Sequence, residues 1–238
     1  MLKRLDDFPE AILVAGCQRS GTTAIARMIT DSDGMAKYRF GPDDELDAAL
    51  ILSAYVDHEP KGRYCFQTTY LNNCHEEYLQ HRNYKLIWVL RTPRSVVYSM
   101  LHNWKRGALN RLFHTCGSTL LGERAKERYE RFGIFAFSRL TKACLSYNAK
   151  VSQVFVLKER LRADQLLIVD YDDLTSSQDR VLPVMYDFAG LPFKNEYSAK
   201  IHSKSRDKAE GLSKKARATT ESTCLPVYDE ARKLINCS

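Results

Sequence analysis

Apolar residues run along this chain in two rhythms, short unbroken runs and longer stretches of helical spacing, and the two alternate. Residues 12–15 (ILVA) form an unbroken run that stops at Gly16. Such a run is apolar on both faces, as a strand is when helices cover it from either side. Ala24, Ile25, Met28 and Ile29 then fall on one helical face, and the polar stretch 31–34 (DSDG) breaks it. Residues 85–90 (KLIWVL) predict a second buried strand, and Pro93 opens a helix that continues through Val96, Val97, Met100 and Leu101. Proline fits a first helical turn because its missing N–H would have no partner there. Residues 165–169 (QLLIV) predict a third strand, followed by the acidic stretch 170–173 and a helix over 180–189 that Gly190 ends. Residues 64–68 are a candidate short strand, and helical spacing covers 45–55 and 138–160. Strands alternating with helices predict an α/β fold, three layers with a central parallel sheet. Residues 105–135 fit no element, because glycines at 107, 117, 122 and 133 interrupt charged patches, and they read as a loop or lid region.

The length, 238 residues with 44% apolar, suits one such domain over 1–238, and no repeat or linker divides it. The longest apolar stretches, 11–16 and 86–90, are far short of the roughly 20 residues of a membrane span. The opening MLKRLDDFPE has no apolar signal core. No membrane partner is expected, and a cytoplasmic address follows by default. The seven cysteines, at 17, 65, 74, 116, 144, 224 and 237, include no CxxC pair, which argues against a disulfide framework and a zinc site. The net charge of +7 is concentrated in two places. Arg82, Lys85, Arg91, Arg94, Lys105, Arg106 and Arg111 occur with no acidic residue between them, and a second basic zone covers 200–217. These zones are either solvated faces or two walls of a polyanion site. No basic motif interleaved with aromatics appears, so nucleic acid is not the expected polyanion.

The loop between the first strand and its helix, CQRSGTT, is nearly a P-loop. GxxxxGK[ST] is matched at Gly16, Gly21 and Thr23, but Thr22 stands where the lysine belongs. A cation sits three places earlier, at Arg19. The backbone N–H groups of residues 19–23 would open the helix, where unpaired donors and the dipole favour an anion such as phosphate. In the second unit, RTPRSVVYS, Arg91 ends the strand and Ser99 follows eight residues later inside the helix.

CQRSGTT and RTPRSVVYS together resemble the sulfotransferase family, whose donor is 3′-phosphoadenosine 5′-phosphosulfate (PAPS). The likeness extends to QLLIVDYDDL, to FAGLPF and to IHSKSRDKAEGLSKKA, and is weakest over 105–150. The Arg-Ser-Gly-Thr-Thr loop is similar to that of the bacterial and tyrosylprotein branch. The resemblance implies a P-loop NTPase-like sulfotransferase fold. It implies that Arg19, Ser20, Gly21, Thr22 and Thr23 hold the 5′-phosphosulfate, and that Arg91 and Ser99 hold the 3′-phosphate. It adds Tyr171 of the Tyr-acidic pair, and Ser205 and Lys214 of a segment that closes over the nucleotide. The product is adenosine 3′,5′-bisphosphate, and the family needs no metal. Arg19 is then a catalytic residue, its charge aimed at the bridging oxygen as negative charge builds there.

The best-known branch carries its base in a Lys-Thr-His segment, and here the equivalent stretch is Gln67, Thr68, Thr69. In the tyrosylprotein branch a Glu follows the first helix, and the corresponding run is FGPDDELDAAL. Glu45 is the expected base, with Asp43 and Asp44 as rivals and His102 and His114 as further candidates. A solvated helix start would also welcome these acids. If Asp43, Asp44, Glu45 and Asp47 all line the acceptor side, the spare carboxylates favour a polar or cationic small-molecule acceptor, sulfated on a hydroxyl or amine. The competing readings are a P-loop small-molecule kinase and a non-catalytic nucleotide or nucleic-acid binder. Mg-dependent ATP turnover marks the first, and salt-steep binding without turnover the second.

Overall fold

A computed structural model describes residues 1–201 and 207–237. Four parallel strands form one sheet in the order β2-β1-β3-β4: β1 (Ala11–Gly16), β2 (Cys65–Gln67), β3 (Tyr84–Leu90) and β4 (Leu166–Asp170). All three expected buried strands and the short candidate are present.

Alternate residues of each strand face opposite layers, as the two-residue period requires. Leu13, Leu86 and Trp88 pack with α3 (Pro93–His102) and α6 (Arg139–Arg160) in one core. Ile12, Val14, Ile87 and Val89 pack with α1 (Thr22–Thr30) and α8 (Gln178–Ala189) in the other. This is the expected three-layer α/β architecture. Helix α2 (Asp44–Leu52) begins at Asp43, whose carboxylate accepts from the N–H groups of Glu45 (3.1 Å) and Leu46 (3.3 Å). Ser138 caps α6 in the same manner, through the N–H of Thr141.

Two regions depart from the sequence reading. Residues 105–135 are largely helical, with α4 (Arg106–Thr115) and α5 (Glu123–Phe132) separated by a tight 3-10 turn over Gly117–Leu120. The glycines there punctuate helix ends: Gly122 precedes α5 and Gly133 follows it. Leu109, Leu112 and Phe113 anchor α4, whereas α5 has no buried residue, so its apolar signal is faint. The C-terminal helix α9 (Lys214–Lys233) was also absent from the reading. It buries Thr220, Cys224, Tyr228 and Ala231, a face at helical spacing but made of small or polar side chains. Between α6 and α9 runs the short α7 (Tyr171–Ser176), directly after β4. No helix among the described residues is long and apolar enough to cross a membrane.

Candidate active site

A cleft of about 620 Å³ opens at the C-terminal ends of β1, β2 and β3, where α/β sheets commonly place their ligands. Strand β1 ends at Gly16, whose φ is 139°. A Cβ there would lie 2.4 Å from the Val89 carbonyl oxygen, so only glycine lets the loop leave beside β3. The loop then turns through Arg19 (φ 75°) and Gly21 (φ 96°) before α1 begins at Thr22. A Cβ on Gly21 would come within 2.3 Å of the Tyr171 ring. Gly21→Ala is therefore expected to cost about 1–3 kcal/mol or more of stability, from left-handed strain and this overlap, as read by denaturant unfolding.

Sheet register brings the second unit to the same place. Leu90 is paired with Asp170, so Arg91 and Tyr171 emerge side by side beyond the strand ends. The Arg91 guanidinium lies over the Tyr171 ring at 4.8 Å and 3.8 Å from Asp172, and donates to the Arg19 carbonyl at 3.3 Å. Asp172 also accepts from the N–H (3.1 Å) and hydroxyl (2.8 Å) of Thr92, which fixes the carboxylate that steadies Arg91. Arg19 reaches across from the first loop, its Nε donating to Ser99 Oγ at 2.8 Å. The two βα units thus bring their polar side chains to one place, and Ser99 is held by Arg19 as well as by Asn103 (3.4 Å). Burial, and then the charge of Arg91, lower the proton affinity of Arg19. Two guanidiniums crowded at a helix N-terminus make a place for an anion.

Arg19, Gly21, Thr22, Thr23, Arg91 and Ser99 line the cleft. Ser20 is buried, and its hydroxyl has no hydrogen-bond partner among the described residues. Tyr171 is not a lining residue, since its ring forms the wall behind Gly21 and beneath Arg91. Lys214 is exposed at the first position of α9 and does not line the cleft, and Ser205 falls outside the described residues.

On the opposite wall the acidic run separates into different jobs. Asp44 lines the cleft but is neutralised by Arg27 (2.6 and 3.3 Å) and approached by Arg39 (3.8 Å). Asp47 is buried away from the lining and accepts from the N–H groups of Phe40 (3.0 Å) and Gly41 (2.8 Å). Asp43 caps α2 at the rim. Glu45 lines the cleft, accepting from Gln67 Nε2 at 3.2 Å, the same amide that reaches the Thr69 hydroxyl at 3.5 Å. Burial pushes its carboxyl above the usual carboxylate range, against the opposing pull of Thr69 and Lys150. The condition that all four carboxylates line one side is not met: Asp47 is off the cleft and Asp44 is paired with Arg27, which leaves Asp43 and Glu45 in the lining without an arginine partner.

Neither histidine candidate lies at the cleft. His102 packs in a tilted pair against Tyr98, ring centroids 4.4 Å apart, and His114 bonds the Tyr129 hydroxyl at 2.9 Å. The sequence reading missed Gln18, Trp104 and Ala108 as lining residues. Gln18 was visible inside the near-P-loop, whereas Ala108 belongs to the stretch that read as a loop and Trp104 immediately precedes it.

Residues 9–223 match the profile of the sulfotransferase domain. No curated protein matches the chain. Among solved structures, the sulfotransferase domain of the curacin biosynthetic pathway is similar at 15% identity and TM-score 0.57, covering 90% of this chain and 97% of that one. The sulfotransferase domain of the Synechococcus PCC 7002 olefin synthase has 14% identity and TM-score 0.59, covering 95% of each. A sulfotransferase from Alicyclobacillus acidocaldarius has 16% identity and TM-score 0.56, covering 95% of this chain and 96% of that one. At such identities these likenesses concern the fold, and the profile match over most of the sequence supplies the rest: the chain belongs to the sulfotransferase family.

Proposed function

We propose that the chain is a single-domain enzyme that transfers a sulfuryl group from PAPS to a hydroxyl or amine of a small polar or cationic acceptor. The observation that carries this reading is the convergence of Arg19, Arg91 and Ser99 at the N-terminus of α1. These residues fit an anionic donor: two guanidiniums meet at the N-terminus of α1, and the Ser20 hydroxyl lacks a partner among the described residues. Thr22, Thr23 and the loop N–H groups would hold the 5′-phosphosulfate, and Arg91 and Ser99 the 3′-phosphate. When bound, the donor supplies an activated sulfuryl group attached to a nucleotide 5′-phosphate.

The protein's own residues then divide the work. Arg19 holds a positive charge where the leaving oxygen becomes negative, so its contribution is larger in the transition state than in the ground state. Glu45 takes the proton from the attacking hydroxyl or amine, and its raised proton affinity suits that task. Asp43, at the rim, supplies the remaining negative charge for a polar or cationic acceptor. Calorimetry with adenosine 3′,5′-bisphosphate and adenosine 5′-monophosphate tests the donor assignment. Ser99→Ala and Arg91→Ala are expected to weaken the bisphosphate by about 1.5–3 kcal/mol, roughly 10- to 150-fold, and the monophosphate far less. Equal losses for the two nucleotides would remove the 3′-phosphate role of these residues.

A further inference from the structure

Lys150 lies in the middle of α6, is 1% exposed and does not line the cleft. Its ammonium donates to the carbonyls of Thr69 (3.2 Å) and Leu71 (2.9 Å) and to Gln153 Oε1 (3.4 Å), and faces the Trp88 ring at 5.7 Å. All of these partners are neutral. Cys17 and Cys116 lie nearby, but burial pushes both thiols up, Cys116 to about 11, so neither is ionised at neutral pH. His75 also faces Lys150, and burial lowers its proton affinity. Burial lowers the proton affinity of the Lys150 ammonium, which has no carboxylate in contact, and the nearby carboxylate whose charge opposes that loss is Glu45.

Thr69 connects the two. Its hydroxyl favours the Glu45 carboxylate and accepts from Gln67 Nε2 (3.5 Å), the amide that also reaches Glu45, while its carbonyl accepts from Lys150 and from Gln18 Nε2 (2.9 Å). Gln67 completes the frame, its Nε2 lying 3.2 Å from Glu45 Oε2 and 3.3 Å from Thr22 Oγ1 of the donor loop. We propose that Lys150 is a positioning residue for Glu45: a buried counter-charge that, through Thr69, keeps the carboxylate ionised and aligned with the donor loop. This rests on Glu45 serving as the base.

The direction of the effect follows from the groups around Glu45. Burial and the charge of Asp43 favour its protonated form, while the Thr69 hydroxyl and Lys150 favour the carboxylate. Tyr70 and Tyr78, the other titratable groups facing it, have their phenols pushed up by burial and stay neutral. A base works deprotonated, so activity falls as pH drops through its pKa. Without the Lys150 charge that pKa rises, and activity is lost at a higher pH.

The test is the pH dependence of kcat/KM, with calorimetric binding of adenosine 3′,5′-bisphosphate as the control. Lys150→Met is expected to move the acid limb upward by about one pH unit, a roughly tenfold loss of activity below the limb. Thr69→Val should move it in the same direction, Lys150→Arg should restore it, and nucleotide affinity should stay within about twofold throughout. A folded Lys150→Met variant whose acid limb coincides with the wild type overturns the proposal. Should that variant not fold, an unmoved limb in Thr69→Val does so instead. Glu45→Gln separates the two readings. If it keeps full turnover, the base assignment falls and this inference with it; if it is inactive while the limbs of both other variants stay put, only the role of Lys150 is lost.

Discussion

Replacing Glu45 by Gln is expected to lower kcat by roughly 10²- to 10⁴-fold while leaving the affinity for adenosine 3′,5′-bisphosphate unchanged. The substitution keeps the side-chain shape but removes the carboxylate proposed to take the acceptor's proton. Glu45 faces the cleft from the first turn of α2, opposite the loop after β1, so Arg91 and Ser99, the proposed nucleotide ligands, are not disturbed. The pH profile offers a second check. Because burial raises its pKa, the acid limb of kcat/KM should lie above the usual carboxylate range, with activity rising as pH increases through it. The corresponding amides at Asp44 and Asp47 should change stability more than turnover, since one is paired with Arg27 and the other serves the backbone of Phe40 and Gly41. A Glu45→Gln enzyme with wild-type turnover would show that the proton leaves by another route.

The second large effect is expected at Arg19. Arg19→Ala should reduce kcat by roughly 10²- to 10³-fold, the scale of losing one preorganised donor to a developing negative charge. Affinity for the product nucleotide should fall by much less. The Arg19 side chain is held by Ser99 at 2.8 Å. Lysine at this position should restore charge but not the fork that can engage two oxygens together, so Arg19→Lys is expected to recover only part of the rate. Measuring kcat and the nucleotide Kd in parallel checks the prediction. Normal turnover with poor affinity would make Arg19 an ordinary binding residue.

Much of this was legible because the relevant physics is local. An apolar run buried on both faces, a glycine that must leave a strand with positive φ, and a helix that starts where its N–H groups need a partner all occupy a few consecutive residues. The four strands, the donor loop and the spacing of Arg91 from Ser99 could therefore be read directly. Where local signals were weak, the reading failed. Helix α5 buries nothing, and α9 buries Thr, Cys, Tyr and Ala in place of a clear apolar stripe, so neither announced itself.

What the chain determined alone was thus the α/β alternation, the anion loop and the family resemblance. Only the tertiary structure decided which of several similar side chains does which job. Asp43, Asp44, Glu45 and Asp47 are four carboxylates within five residues, among which the sequence preferred Glu45 only by resemblance. Arg27 from α1 neutralises Asp44, and the backbone at Phe40 and Gly41 occupies Asp47. Gln67 and Thr69, from the end of β2, meet Glu45, and Lys150 arrives behind Thr69 from α6, 81 residues further along. The ionisation of a carboxylate depends on burial and on charges a few ångströms away. Those neighbours are set by how strands register and helices pack, and distant residues become neighbours only when the sheet is assembled.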